Sequence, residues 1–308
     1  MAIAIISDIH ANIEALDAVL NDISEQEQKH DIKEIHCLGD IVGYGPDPVE
    51  CIQRVREHCG IVIGGSHEES VCYIPKSVMT SLYNINAVPS ILWTRHLLHT
   101  TAKDLVVYIS KLPYVKLPNT DEEQKRIAEV HGTLCHAMQD NDSIMWKKRH
   151  PNKPPHGAIA CASINNYATI ADNYPEGENN IRRCFDSLRS VRRQVCFVGH
   201  SHVAEAFCWN PAKQDLNHVP IKGKQDCWKS ESIELKLVPG NYYVINPGSA
   251  GQPRDEDSRA SYCIYNNERV IYRKVPYEVV DTMRKIMKIE MLNENIRAHL
   301  AARLLIGH

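Results

Sequence analysis

The chain alternates between short apolar runs and polar turns that carry carboxylates and imidazoles. Residues 2–7 are almost wholly apolar, which predicts a buried first strand. Ile13, Leu16, Val19, Leu20 and Ile23 then recur at helical spacing behind Asn12, a natural N-cap. The same order repeats. IHCL at 35–38 reads as a strand, GDIVGYGPDP as a Gly/Pro-rich loop, and PVECIQRVREHC as a helix with Asp47 capping it and Pro48 at its first position. A third strand, IVI at 61–63, runs into GGSHE. Apolar runs within 126–132, 195–202 and 242–249 also end in polar turns, and SYCIYN followed by RVIYRKV predicts a hairpin.

Repeated β-α-β order predicts a sheet with parallel strands, whose ligand sites gather outside the carboxyl ends of the strands. Residues 139–183 are polar and irregular and predict a surface excursion, in which Lys147, Lys148, Arg149 and Lys153 read as solvated charges. From Val279 to Leu305, Val280, Met283, Met287, Met291, Ile296, Leu300 and Leu304 recur every three to four positions. That spacing predicts one long amphipathic C-terminal helix.

Composition narrows the class. With 308 residues, 43% hydrophobic and 24% charged, the chain is long enough for one large α/β domain with a full core. A net charge of −3 exerts no pull toward nucleic acid or an anionic membrane. The opening apolar run has no basic residue before it and is too short for a signal peptide or a span. The 11 cysteines are odd in number, form no CxxC pair and sit in runs such as IHCL and VCFV. They are expected to be reduced core thiols in a cytoplasmic protein, not zinc ligands.

The candidate chemistry stands at the strand ends: Asp8 and His10, Asp40, His67, His131, then His200 and His202. One Asp-x-His triplet carries little weight, whereas five signals in succession do. Imidazoles and carboxylates without thiolates suit zinc, manganese or iron. Leaving His67 aside, six side chains are too many for one tetrahedral site and suit two ions that share a carboxylate.

Read in order, Asp8-Ile9-His10, Gly39-Asp40, Gly65-Ser66-His67-Glu68, His131-Gly132 and Gly199-His200-Ser201-His202 resemble the blocks of the calcineurin-like metallophosphoesterases. GYGPDP at 43–48 and NPGSAGQPRD at 246–255 point to the compact bacterial and archaeal branch described as predicted phosphodiesterases. The resemblance covers residue 1 to about 275. It implies an α/β fold in which two mixed β-sheets pack as a sandwich flanked by helices, four layers in all. It implies a domain over 1–275 with an insertion at 139–183, followed by a 276–308 helix that docks on the domain or on a partner subunit.

The resemblance also implies roles. Asp8, His10 and His202 would hold one divalent ion, His131 and His200 the other, and Asp40 would bridge them. Manganese is the first choice of metal, with iron, zinc, nickel and magnesium as alternatives. His67 would meet the phosphate and protonate the leaving oxygen while a metal-activated hydroxide attacks a phosphodiester, a phosphomonoester being the alternative substrate. Glu68 is expected to support its loop by hydrogen bonding. Asn12 and Arg254 are candidates for substrate contact, against the plainer alternatives of an N-cap and a loop salt bridge. No membrane partner and no strong nucleic-acid signal is expected, and homo-oligomerisation stays open.

One residue departs from the pattern. The family places Asn, whose amide oxygen binds the second ion, where this chain has Ser66. A serine oxygen is one bond short of that reach, and metal–ligand distances tolerate only about ±0.2 Å. Direct coordination would need the loop to move inward, or a water to fill the gap. Ser66 is then a natural variant with a weaker second site, an engineered change, or the mark of a binding or scaffold protein that keeps the fold without turnover. The retained ligands favour a weakened but bimetallic enzyme.

Overall fold

Five residues in a row at the start of the chain form a strand covered on both faces. In the computed structural model, which describes residues 1–83, 86–113, 115–116, 127–130, 181–182, 184–186, 188–189, 192–223, 226 and 228–307, β1 (Ala2–Ile6) is buried throughout. Ala2, Ala4 and Ile6 pack into a helix-lined cluster, while Ile3 and Ile5 join the core between the sheets. Alternate residues of a strand point to opposite faces, so a strand between two layers reads as one apolar run.

The chain continues through α1 (Ile13–His30), β2 (Ile32–Cys37), α2 (Pro48–His58) and β3 (Ile61–Val62). Asn12 caps α1 as expected, its Oδ1 accepting the Ala15 N–H at 3.1 Å. Asp47 precedes α2 without capping it; its carboxylate accepts from Lys285 at 2.9 Å instead. Four helices not predicted from the sequence follow: α3 (Ser66–Cys72), α4 (Lys76–Leu82), α5 (Ala87–Thr101) and α6 (Lys103–Ser110). Buried residues of α3, α5 and α6 complete the cluster on the outer face of β1.

Then come β4 (Val115–Lys116), β5 (Ile127–Val130), β6 (Val195–Val198), β7 (Ala204–Asn210), β8 (Asp215–Pro220), β9 (Glu231–Lys236), β10 (Tyr242–Pro247), β11 (Ala260–Asn266) and β12 (Arg269–Val275). The first sheet has the order β3-β2-β1-β11-β12-β9 and the second β4-β5-β6-β10-β7-β8. The predicted parallel strands are there, as β1–β2, β2–β3, β5–β6 and β6–β10. Antiparallel strands complete both sheets, so each is mixed. β11 and β12 form the predicted hairpin, with Asn266 Oδ1 accepting the Glu268 and Arg269 N–H groups in its turn. Between the sheets, Ile5, Leu38, Phe197, Ile245, Cys263 and Tyr272 make a shared core. On the outer face of the second sheet Phe185 packs on Trp209, ring centroids 5.9 Å apart.

The predicted long C-terminal helix is two helices, α7 (Val279–Met287) and α8 (Glu294–Ile306). Asn293 restarts the helix, its Oδ1 accepting the Ile296 N–H at 2.9 Å. Ile289 and Leu292 in the connection are buried with Ile286, Leu300 and Leu304, so both helices and the connection share one apolar cluster. Each such burial stabilises by about 1.5–3 kcal/mol before chain entropy is counted. Thr282 Oγ1 donates to Asn12 Oδ1 and Glu14 Oε2, and Lys285 pairs with Glu14 and Asp47, fastening α7 to the start of α1.

Cys37, Cys51, Cys59, Cys72, Cys196, Cys208 and Cys263 are free thiols. Cys184 is disulfide-bonded, so the expectation that every cysteine is reduced fails there. The expected excursion at 139–183 lies, apart from residues 181 and 182, outside the described residues. No described helix is long and apolar enough to cross a membrane.

Candidate metal centre

The parallel strands aim their carboxyl ends at one edge of the sandwich. β1 ends into Asp8 and His10, β2 into Asp40, β3 into Ser66 and His67, β6 into His200 and His202, and β10 into the loop 248–254. Backbone hydrogen bonds tie these loops together. Asp8 and His10 donate to the Gly39 and Asp40 carbonyls, and Ala250 and Gly251 donate to the carbonyls of Ser7 and Asp8. Asp8, His10, Asp40, His200 and His202 all have left-handed backbone, with φ between 48° and 73°. Asp and His tolerate that region better than most L-residues, yet each such residue costs about 1 kcal/mol. Strain of this kind gathers where a site over-determines the backbone.

Two imidazoles define the centre. His10 Nδ1 lies 3.1 Å from the Val42 carbonyl and His202 Nδ1 lies 2.5 Å from the Gln252 carbonyl. A carbonyl only accepts, so both rings carry their proton on Nδ1 and present a bare Nε2. Those two Nε2 atoms stand 2.9 Å apart. Asp8 Oδ1 lies 3.5 Å from the Nε2 of His202 and 4.0 Å from that of His10, and Asp40 Oδ2 lies 3.9 Å from His10 Nε2. Lone pairs facing one another in a buried pocket repel unless a cation sits among them. The donor set fits a divalent ion of borderline hardness.

The ligand atoms of Asp8, His10 and His202 form one converging group, and those of His10, Asp40 and His67 form another. All five residues are nearly inaccessible to solvent. Burial foremost pushes both His10 and His202 well below the ordinary imidazole value; the charges of His67 on His10 and of Arg254 on His202 act in the same direction. Neutral imidazole is the ligating form. The thiols of Cys59 and Cys72 are pushed up to about 12 by burial, which keeps them out of soft-metal chemistry.

The lowered histidine pKa values carry a stability consequence. A base that the fold holds neutral contributes its full stability above its unfolded pKa, about 6.5, and loses it as pH falls toward the folded value. With a chelator present, the melting temperature is expected to stay level from pH 8 to 7 and to drop from pH 6.5 to 5, less steeply in His202→Asn. A melting temperature that rises on acidification in that window would contradict the neutral pair.

Supporting residues place the ligands. Asp8 accepts the His200 N–H on both oxygens at 3.0 Å. Asp40 Oδ1 accepts the His67 N–H at 2.8 Å at the start of α3, and Ser66 Oγ donates to its Oδ2 at 3.1 Å. Glu68 accepts four backbone N–H groups, from Gly65, Asp40, Ile41 and Val42, at 2.8–3.0 Å. This is the loop support expected of it. Gly65 allows the close approach: a Cβ there would lie 2.2 Å from Asp40 Oδ1.

The residues predicted from the sequence thus meet in part. Asp8, His10, Asp40, Ser66, His67 and His202 are brought together. His200 enters through its backbone N–H, and His131 lies outside the described residues. Asn12 is buried, with Oδ1 capping α1 and Nδ2 donating to the Gly251 carbonyl and the Tyr277 hydroxyl. Arg254 stands in the loop beside His202, Nη2 donating to Gln252 Oε1 at 3.1 Å. Sequence reasoning did not single out Gln252, whose carbonyl fixes the His202 tautomer, or Tyr44 and Tyr83, whose rings flank His67 at centroid distances of 4.6 and 5.6 Å. The GYG turn marks Tyr44 only as part of a motif, and nothing local marks the other two.

The model of the calcineurin-like phosphoesterase family matches residues 1–204. An uncharacterized protein of Methanocaldococcus jannaschii is 29% identical over 288 residues, which span 93% of this chain and 92% of that protein. The crystal structure of a metallophosphoesterase from Sphaerobacter thermophilus is similar with a TM-score of 0.64 and 28% identity, covering 100% of this chain and 99% of that one. That likeness runs past residue 204 to the end of the chain.

Proposed function

We propose, from the premise that this chain belongs to the calcineurin-like phosphoesterase family, that it hydrolyses phosphodiesters with two divalent metal ions, manganese foremost. The observation that carries the reading is the pair of bare Nε2 atoms 2.9 Å apart between two buried carboxylates. Asp8, His10 and His202 would hold the first ion. Asp40, next to both groups, would be shared with a second ion completed by His131 and His200. When bound, the ions supply Lewis-acid charge to the phosphoryl oxygens and lower the pKa of water.

The chain's own residues do the rest. The His67 imidazole, boxed by His10, Tyr44 and Tyr83, would protonate the leaving oxygen. Glu68 and the backbone amides of His67 and His200 hold both carboxylates in register. Arg254 adds positive charge on the His202 side, in keeping with an anionic substrate. Asn12 acts by fastening α1, the 251 loop and α7 together.

Ser66 weakens the second position, because its hydroxyl is directed at Asp40. The same observation favours a second reading, a metal-binding fold with little turnover. Protein purified without chelator is to be tested for bound metal by elemental mass spectrometry and for hydrolysis of bis(4-nitrophenyl) phosphate. Hydrolysis that is lost on chelation and restored by manganese supports the enzyme. Bound metal without turnover supports the second reading, and absence of both overturns the site assignment.

A further inference from the structure

His10 follows a strand of the first sheet and His202 a strand of the second, so their 2.9 Å approach depends on what ties the two strand-end loops together. The loop after β10 touches both. On the second sheet, Asn246 Nδ2 donates to the Gly199 carbonyl at 3.0 Å and to Ser201 Oγ at 2.8 Å, gripping the turn that carries His200 and His202. Against the first sheet the loop packs backbone on backbone: a Cβ on Gly251 would lie 1.7 Å from the Ile9 carbonyl oxygen. Ser249 joins the two sides. It is fully buried, and its Oγ donates to the Asp8 carbonyl at 2.7 Å while accepting the Gln252 N–H at 2.7 Å.

A serine that accepts an N–H three residues ahead is a common way to close a turn. Here its proton goes to a residue 241 positions earlier, which closing a turn does not require. Both bonds bear on candidate ligands. At Asp8, whose backbone is left-handed (φ 54°), the hydroxyl anchors the carbonyl and with it the turn that leads to His10. At the other end, Gln252 is followed by Pro253, which disfavours helical backbone at Gln252. With its N–H held by Ser249, Gln252 has little freedom to turn its carbonyl, and that carbonyl accepts the His202 Nδ1 proton at 2.5 Å.

We propose that Ser249 is a positioning residue of the metal centre. Its hydroxyl links the Asp8 turn to the carbonyl that orients His202, and so sets the spacing of ligands drawn from two sheets. The proposal rests on the reading of Asp8, His10 and His202 as ligands of one ion and deepens it. Residues that orient ligands change metal affinity by about 10- to 100-fold. A serine that only closed a turn would change stability and leave affinity alone.

Cobalt(II) titration of the full chain, followed through its visible ligand-field bands, compares the parent with Ser249→Ala and Ser261→Ala. Ser261 is a matched control, equally buried, with its Oγ donating to the Pro247 carbonyl at 2.7 Å where the same loop begins. Ser249→Ala is expected to bind cobalt about 10- to 100-fold more weakly and to shift the bands. Ser261→Ala should keep the parent's affinity, whatever it loses in stability. Equal affinity in Ser249→Ala and the parent, or equal losses in the two variants, overturns the bridge and leaves the metal centre standing. A parent that binds no cobalt overturns the metal centre and the bridge with it. If Ser249→Ala does not fold, hydrogen exchange of the parent decides. The Gln252 amide, read in peptides spanning 246–254, should then exchange about tenfold more slowly with cobalt than with chelator, and an unchanged rate overturns the bridge.

Discussion

Glu68→Ala is expected to cost about 4 kcal/mol or more and to empty the metal centre. Its carboxylate is the acceptor for the N–H groups of Gly65, Asp40, Ile41 and Val42, and the side chain is only 2% exposed. Alanine strands these donors where water reaches poorly, at about 1–3 kcal/mol for each one left unsatisfied. Against a typical total stability of about 5–15 kcal/mol, that loss threatens folding itself. Glu68→Gln keeps the measurement informative. Oε2 accepts from Gly65 and Asp40 and Oε1 from Ile41 and Val42, so a carboxamide retains one pair and opposes the other with its own NH₂. Its loss should fall between those of parent and alanine. Urea unfolding with metal counting checks both variants. A Glu68→Ala protein within 1 kcal/mol of the parent, with metal intact, would show that the loop does not depend on this carboxylate.

Ser66→Asn is expected to raise bound metal toward two ions per chain and to raise diester turnover by about 10- to 100-fold at limiting manganese. Even residues that only orient ligands change affinity or activity by that factor. Ser66 begins α3 with its hydroxyl 3.1 Å from Asp40 Oδ2, so the residue already points into the centre and falls short by one bond. The amide supplies that bond and gives up the serine's hydrogen bond to Asp40, a loss of about 1 kcal/mol. The Tyr83 hydroxyl, which donates to the Ser66 carbonyl at 2.9 Å, is unaffected because it uses the backbone. Metal content that stays at the parent value in Ser66→Asn would mean that this position does not govern the second ion. Stoichiometry that rises without turnover would favour the binding-protein reading.

Much of this was legible before any coordinates. β1, α1, α2 and the β11–β12 hairpin follow from apolar periodicity and turn residues, because a half-buried element must repeat with its own geometry. Asp8, His10, Asp40, His67 and His202 stood out because each lies in the short polar turn that follows an apolar run, and a strand's end is where a polar side chain can reach a cleft. The helices between residues 66 and 110 did not stand out. In α5, Ala87, Val88, Ser90, Ile91, Thr94 and Leu98 are buried together, a mixture of polar and apolar positions without a clean stripe. The break between α7 and α8 was hidden for the opposite reason, since the apolar spacing runs on through 288–293 while the direction of the chain changes.

The sequence by itself determined which residues are candidate ligands, their order and their position after strand ends, since these follow from residue type and local pattern. Tertiary structure alone decided that His10 and His202, from different sheets, face each other through Nε2, because two distant carbonyls, Val42 and Gln252, hold their Nδ1 protons. It likewise decided the left-handed backbone at five residues of the candidate site and the four-amide grip of Glu68. Each of these depends on groups far apart in the chain that only packing brings within hydrogen-bond or Coulomb range, where distance rather than order sets the energy.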